Sequence, residues 1–302
     1  MENNQPLVSV IMNCYNSDKY LTEAIESVIA QTYTNWEIIF WDNQSTDQSA
    51  EIVKSYDDER IKYFYAPTFE PLYGARNYAI EKSSGEYIAF LDCDDKWYPR
   101  KIDSQLNVLI NSEYSMCYTN YYNSNNKILK KALNSKQPSG NIFQYQIANY
   151  SIGILTVMLK KSAWSQMKMK FNKNYTYPGD FDFFIRFLHS NHAIYLDECL
   201  CEYRHDNPNS LSNTKTEKNI LEMKVAIEYL EKYYSQNKIE QSLKKLKSRV
   251  SVKETLYLLK NNKKKEARNE SSFYKLYRLK NFVVYLFTFL PENALNYILK
   301  KV

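Results

Sequence analysis

Residues 90–95 read FLDCDD, which places the carboxylates of Asp92, Asp94 and Asp95 within four positions. Carboxylates this close repel one another and raise each other's pKa unless a cation sits among them. The simpler alternative is an acidic turn that caps a following helix. Two further polar clusters, NCYN at 13–16 and DNQSTD at 42–47, also follow directly on apolar runs. A third acidic stretch, PGDFDFFIRF at 178–187, begins a segment of helical character.

The segments that must position these clusters alternate in type. LVSVIMN (7–13), WEIIFW (36–41), IKYFY (61–65) and EYIAFL (86–91) are apolar runs of strand length rich in β-branched and aromatic residues. Leu21, Ala24, Ile25 and Val28 recur at helical spacing after Ser17, a candidate N-cap, and helices are expected over 47–56 and 74–82. Strand and helix alternation over about 100 residues predicts an α/β fold with a mostly parallel, doubly wound sheet. Such sheets bind ligands beyond the C-terminal ends of their strands, which is where NCYN, DNQSTD and DCDD fall. Further along, a helix is expected at 100–111, a strand at 114–122, a loop over 123–140 and a strand at 153–160. A buried helix follows at 181–188, then strands within 193–204, and a helical pattern from about 216.

The 302 residues suit one large domain, or one domain with an appendage. Their net charge of +6 is unevenly placed. Residues 241–302 hold 15 Lys/Arg against 4 Asp/Glu, a net of +11, whereas residues 1–240 hold 25 against 30, a net of −5. An acidic body with a basic tail implies two roles, the tail seeking an anionic surface. Five cysteines, odd in number and without paired metal-ligand spacing, predict reduced thiols in a cytoplasmic protein. No secretory leader is expected, because the first residues lack a basic start and an apolar stretch.

Three segments, VSVIMNCYN, QTYTNWEIIFWDNQSTD and GARNYAIEKSSGEYIAFLDCDD, together resemble the family 2 glycosyltransferases, over about residues 7–212. The resemblance implies a GT-A fold, with a Rossmann-like, mostly parallel sheet flanked by helices. It also implies transfer of a sugar from a nucleotide diphosphate, with a UDP-sugar the first candidate, to a hydroxyl of a glycan or lipid-linked acceptor, with inversion at the anomeric carbon. On this reading residues 1–212 form the catalytic domain, donor half about 1–98 and acceptor half about 99–212, and 213–302 form a helical, basic region. Assembly of bacterial surface polysaccharide follows by analogy. A divalent cation would neutralise the leaving diphosphate, and Mn2+ or Mg2+ suits the hard oxygens of Asp92 and Asp94. The family pattern puts Asp94 closest to the metal and Asp92 nearer the ribose or sugar. Asp95 either orients the acceptor or caps the next helix, and Trp97 falls on the acceptor side with it.

Asp42 can accept hydrogen bonds from a uracil or ribose, Asn43 stands where the family often has a second acid, and Tyr15 offers a ring to the base. Arg76 and Asn77 match an Ala-Arg-Asn pattern expected to contact phosphate or sugar hydroxyls, although a solvated Arg is the ordinary alternative. Inverting transfer needs a base, and Asp180 occupies the matching position, with Gly179 where the family has another acid. The competing role for Asp180 is a helix cap, with Asp182 facing elsewhere. EYRHDNPNSLS (202–212) resembles the family's closing strand: Arg204 falls on the donor side, and His205, one place early, is a candidate metal or diphosphate ligand against a purely structural role.

In the basic tail, FVVYLFTFL (282–290) would be about 13 Å long as a helix, too short for a bilayer core of about 30 Å. With Lys275, Arg278, Lys280, Lys300 and Lys301 beside it, it either lies on an anionic membrane from the cytoplasmic side or packs on protein, including a second subunit. No nucleic-acid partner is expected, since nothing resembles a reading motif and the body is acidic. Other readings are a non-catalytic binding or scaffold subunit, because Gly179 replaces an acid, and a nucleotidyltransferase, which would want a glycine-rich basic loop in place of NCYNSDKY. A phosphohydrolase of the haloacid dehalogenase type would want Thr or Val where Lys96 stands.

Overall fold

A computed structural model describes residues 5–126, 128–205 and 217–299, the side chains of Asn237 and Asn296 excepted. The Ser-x-Ser of residues 210–212, Lys300 and Lys301 lie outside the described residues. The chain divides into two compact units, residues 1–146 with 150–213, and residues 147–149 with 214–302.

The first unit is built on strands β1 (Val8–Cys14), β2 (Trp36–Asp42), β3 (Ile61–Tyr65) and β4 (Tyr87–Phe90). They lie in the order β3-β2-β1-β4, and every pairing among them is parallel. Helices α1 (Asp18–Ile29), α2 (Ser49–Lys54) and α3 (Leu72–Lys82) connect them, as parallel neighbours require. β1 and β2 are buried almost throughout, which is why they read as unbroken apolar runs rather than alternating ones. The hydrophobic core joins their inner side chains to Leu21, Ala24, Ile25 and Val28 of α1.

The sheet continues through β8 (Met158–Lys160), antiparallel to both β4 and β6 (Met116–Asn125), then β9 (Ala193–Arg204), parallel to β6. A two-residue strand, β5 (Lys96–Trp97), pairs antiparallel with β9, and β7 (Ile128–Lys131) forms a hairpin with β6. The α/β class with its largely parallel sheet is therefore as expected, but three local readings change. The supposed loop 123–140 contains the polar end of β6 and β7, an exposed four-residue Ile-Leu-Lys-Lys strand, so neither offered an apolar run long enough to signal a strand. Residues 154–156 form a 3-10 turn, leaving only 158–160 as strand. Residues 193–204 are one strand whose register against β6 slips near Asn120. Helices α4 (Lys101–Leu109), α6 (Lys161–Gln166) and α7 (Gly179–Ser190) complete the α-helices that lie wholly in this unit among its described residues, and α5 (Phe143–Ala148) belongs to it up to residue 146.

The second unit contains α8 (Glu217–Tyr234), α9 (Glu240–Lys260), α10 (Lys264–Ser272), α11 (Leu279–Phe287) and α12 (Glu292–Leu299). Leu258, Leu259, Ala267, Leu295 and Leu299 form a small core among α9, α10 and α12. Among the described residues no helix is long and apolar enough to cross a membrane.

Candidate active site

Parallel pairing puts the ends of β1, β2 and β4 at one edge of the sheet, and β6 and β9 run the same way as β4. The polar loops therefore meet beyond one edge, as the strand pattern predicts. The first two loops lock together: Asn16, in the left-handed region, accepts the Thr46 N–H through Oδ1 at 2.7 Å and donates its own N–H to Ser45 Oγ at 3.1 Å. Ser17 occupies the N-cap position of α1 without a side-chain cap bond. Asp47 of the second loop instead accepts the Asp18 N–H at 3.0 Å.

At the end of β2 Asp42 is fully buried, accepting the Ser45 N–H at 2.8 Å and the Tyr63 hydroxyl at 2.6 Å. The Asn43 amide is spent on the backbone of Glu70, donating to its carbonyl at 2.7 Å and accepting its N–H at 3.2 Å. Asn43 therefore pins the following loop rather than presenting its amide to a base. That loop brings Phe69 against Tyr15, ring centroids 5.0 Å apart, and both rings are exposed. Phe69 gave no signal in the sequence.

The acid turn is held from two sides. Arg76, almost fully buried on α3, donates to Asp92 Oδ1 at 3.1 Å and to Asp180 Oδ1 at 2.8 Å. The expectation that Arg76 offers itself to phosphate needs correcting, because its guanidinium ties the acid turn to the start of α7 and is ringed by Tyr73, Phe90 and Phe171. Asn77 is corrected too: its amide clasps the backbone N–H and carbonyl of Phe171, which uses both its donor and its acceptor. On the other side Arg204 at the end of β9 donates from Nε to the Asp94 carbonyl at 2.9 Å and from Nη2 to Glu23 at 3.0 Å.

Asp95 neither caps a helix nor faces an acceptor. It is buried, α4 begins six residues later with Arg100 at its N-cap, and Asp95 Oδ1 accepts the Arg204 N–H at 3.0 Å. Burial, then the charges of Asp94 and Asp92, push its pKa well above the carboxylate range, and its Oδ2 has no hydrogen-bond partner. Trp97 is also corrected. Pairing of β5 with β9 turns its ring into the core, where Nε1 donates to the Leu155 carbonyl at 3.2 Å.

Asp180 is not a cap: Pro178 precedes α7 and no side chain caps it. Desolvation raises the Asp180 pKa to about 6, the neighbouring Arg76 opposing and Asp92 assisting. Asp182 pairs with Arg186 at 2.6 Å and is buried away from the site. A Cβ on Gly179 would lie 2.3 Å from the Tyr73 ring, so the tyrosine fills the space any larger side chain would need there. Tyr150 also lies close enough for its hydroxyl to feel the Asp180 charge, and that hydroxyl is buried without a partner. Among 28 tyrosines neither Tyr73 nor Tyr150 stood out in the sequence.

Asp92 and Asp94 remain partly exposed on one turn. Two hard carboxylates fit a magnesium-like ion that takes its other ligands from water and substrate phosphates. His205 does not join them: its Nε2 lies 2.8 Å from Asn123 Oδ1, and among the described residues no group of three or more His, Cys, Asp or Glu is arranged to hold a metal.

Residues 9–181 match the family described as Glycosyl transferase family 2. The chain is 34% identical over 220 residues to the putative teichuronic acid biosynthesis glycosyltransferase TuaG of Bacillus subtilis, covering 71% of this chain and 85% of that one. It is 35% identical over 166 residues to the UDP-Glc:alpha-D-GlcNAc-diphosphoundecaprenol beta-1,3-glucosyltransferase WfgD of Escherichia coli, covering 55% of this chain and 64% of that relative, just under two thirds of its length. Its fold is similar to that of S. aureus TarS in complex with UDP-GlcNAc, with a TM-score of 0.64 at 18% identity over 95% of this chain and 90% of that one. It is also similar to the mannosyltransferase PcManGT from Pyrobaculum calidifontis in complex with GDP-Man and Mn2+, with a TM-score of 0.55 at 15% identity over 76% and 64% of the two chains.

Proposed function

Because the chain belongs to glycosyltransferase family 2, we propose that its first unit moves a sugar from a nucleotide diphosphate, a UDP-sugar first among candidates, to a hydroxyl of a glycan or lipid-linked acceptor, with inversion. The work of this reaction is assembly of a cell-surface polysaccharide, in keeping with the teichuronic acid biosynthesis in the name of TuaG, and the diphosphoundecaprenol acceptor in the name of WfgD supports the lipid-linked acceptor. The observation that carries the reading is the Asp92–Arg76–Asp180 bridge, which fixes a carboxylate of raised pKa beside the acid turn. The five thiols, all free, fit a reducing compartment and so a cytoplasmic reaction.

Asp180, ionised, takes the proton of the acceptor hydroxyl as that oxygen attacks the anomeric carbon. The bond from that carbon to the diphosphate breaks on the opposite face. Arg76 keeps Asp180 oriented through Oδ1. A divalent ion held by Asp92 and Asp94 would supply charge neutralisation to the departing diphosphate. Arg204 fixes the Asp94 backbone, and Tyr15 with Phe69 offers aromatic surface for the base. The filling of the Gly179 site by Tyr73 accounts for the missing acid without removing the base, which favours an enzyme over a scaffold.

Thermal shift against a panel of nucleotide sugars, followed by donor turnover with and without EDTA, tests the reading. A UDP-sugar should raise the unfolding midpoint and be consumed in a metal-dependent way, with an inverted anomeric configuration in the product. Donor binding without any turnover would turn the assignment to a scaffold, and undiminished turnover in excess EDTA would remove the metal from it.

A further inference from the structure

α11 buries one side and leaves the opposite side open and apolar. Inward, Asn281, Val284 and Thr288 are buried, and the Asn281 amide exchanges hydrogen bonds with Ser248 of α9. Outward, positions 279, 282, 283 and 286 fall within an arc of about 100° on a helix of 3.6 residues per turn. All four, Leu279, Phe282, Val283 and Leu286, are exposed. The link before the helix adds Phe273 and Leu276, which with Leu279 are 78%, 84% and 79% exposed. Apolar side chains this open and this contiguous mark an interaction surface rather than ordinary scatter.

The charge around this face selects the partner. Residues 271–291 contain Lys275, Arg278 and Lys280 and neither Asp nor Glu. The local field is cationic enough that Arg278 adds to burial in lowering the pKa of both Lys245 and Arg249. Two copies meeting through this face would bring like charges together. An anionic surface with an apolar interior satisfies both halves of it.

We propose that residues 273–289 form the surface by which this protein lies on an anionic lipid bilayer, with Phe273, Leu276, Leu279, Phe282 and Leu286 entering the boundary between headgroups and acyl chains and Lys275, Arg278 and Lys280 engaging the headgroups. The proposed acceptor chemistry would then take place at that bilayer. This last link rests on the transfer reading, whereas lipid binding is measured without donor or acceptor and stands or falls separately.

The test is co-sedimentation of the full chain with vesicles of phosphatidylcholine alone or mixed with phosphatidylglycerol, at low and high salt. The intact chain should bind the anionic vesicles, ignore the neutral ones and be released as salt shortens the screening length. Replacing Lys275, Arg278 and Lys280 by Gln should weaken binding about five-fold for each cation lost. Leu276→Ser with Leu279→Ser should weaken it at least about ten-fold, with an unchanged unfolding midpoint because both side chains are already exposed. An intact chain that stays in solution with anionic vesicles at low salt overturns the proposal. So does equal binding to both vesicle types, or a dimer in sedimentation equilibrium that the two leucine substitutions dissociate.

Discussion

Two ends of one sheet treat desolvated acid in opposite ways. Near the start of β2, Glu37 accepts hydrogen bonds from Ser9 Oγ at 2.6 Å, Ser84 N at 2.5 Å, Gly85 N at 3.2 Å and Lys62 Nζ at 2.6 Å. Burial alone would raise its pKa, but these donors hold it below the usual value. Gly85 makes the arrangement possible, because a Cβ there would lie 2.6 Å from the Leu7 carbonyl and 2.7 Å from Ser9 Oγ. Beyond the far ends of the strands, Asp180 has Arg76 and Asp95 has one backbone N–H, and both carboxyls are pushed up. A fully satisfied acid holds structure together. An under-satisfied one keeps capacity for a proton or a ligand, at a cost in stability carried by the rest of the fold.

Asp94→Asn should give the largest separation between the two ends. Turnover should fall by about 10³-fold or more, the loss of several kcal/mol of charge stabilisation, while the urea midpoint hardly moves. Normal turnover in this variant would place the cation elsewhere.

Asp180→Asn comes next, with turnover down by about 10² to 10⁴ and donor binding retained, read as kcat lost with the donor thermal shift intact. In the wild type the acid limb of kcat/KM should fall near pH 6, because the base must be ionised and its pKa is raised to about 6. The stability signs at the two ends are opposite. Asp180 stabilises most below its unfolded pKa, and this contribution is lost as pH rises through about 6. Glu37 stabilises above its unfolded pKa and loses this as pH falls through its depressed folded value. Stability curves of Asp180→Asn and Glu37→Gln against pH would show whether the two slopes diverge.

Glu37→Ala should cost about 3 kcal/mol of stability by leaving Ser9 and two amides unpaired in the interior, with turnover of the folded fraction unchanged. Chemical denaturation measures the first and active-site-normalised kinetics the second. A catalytic loss without a stability loss would erase the contrast.

Gly179→Ala should have the smallest effect, about 1–3 kcal/mol from the clash with Tyr73, and Tyr73→Leu in the same chain should recover part of it. A recovery of stability with kcat still reduced would show that the Tyr73 ring also positions Asp180.

The strands, the edge at which their polar loops meet and the acid turn were legible because each is written in adjacent residues. The misreadings cluster where a side chain's partner lies far along the chain. Arg76 meets Asp92 16 positions away and Asp180 104 away, and no periodicity carries that information. Asn43 and Asn77 have the types that bind ligands, yet both are consumed by backbone that only folding brings near. Trp97 follows the acid turn directly, but the antiparallel pairing of Trp97 with Cys201 sends it inward.

The sequence by itself determined that a largely parallel α/β sheet would form, that carboxylates would gather past its strand ends and that a basic helical region would follow. Burial patterns, turn residues and charge runs are local and survive in one dimension. Only the tertiary structure decided which acid is left under-satisfied, which arginine joins Asp92 to Asp180, and which face of α11 stays open. Those outcomes depend on desolvation and on contacts between distant segments, neither of which is defined until the chain has packed.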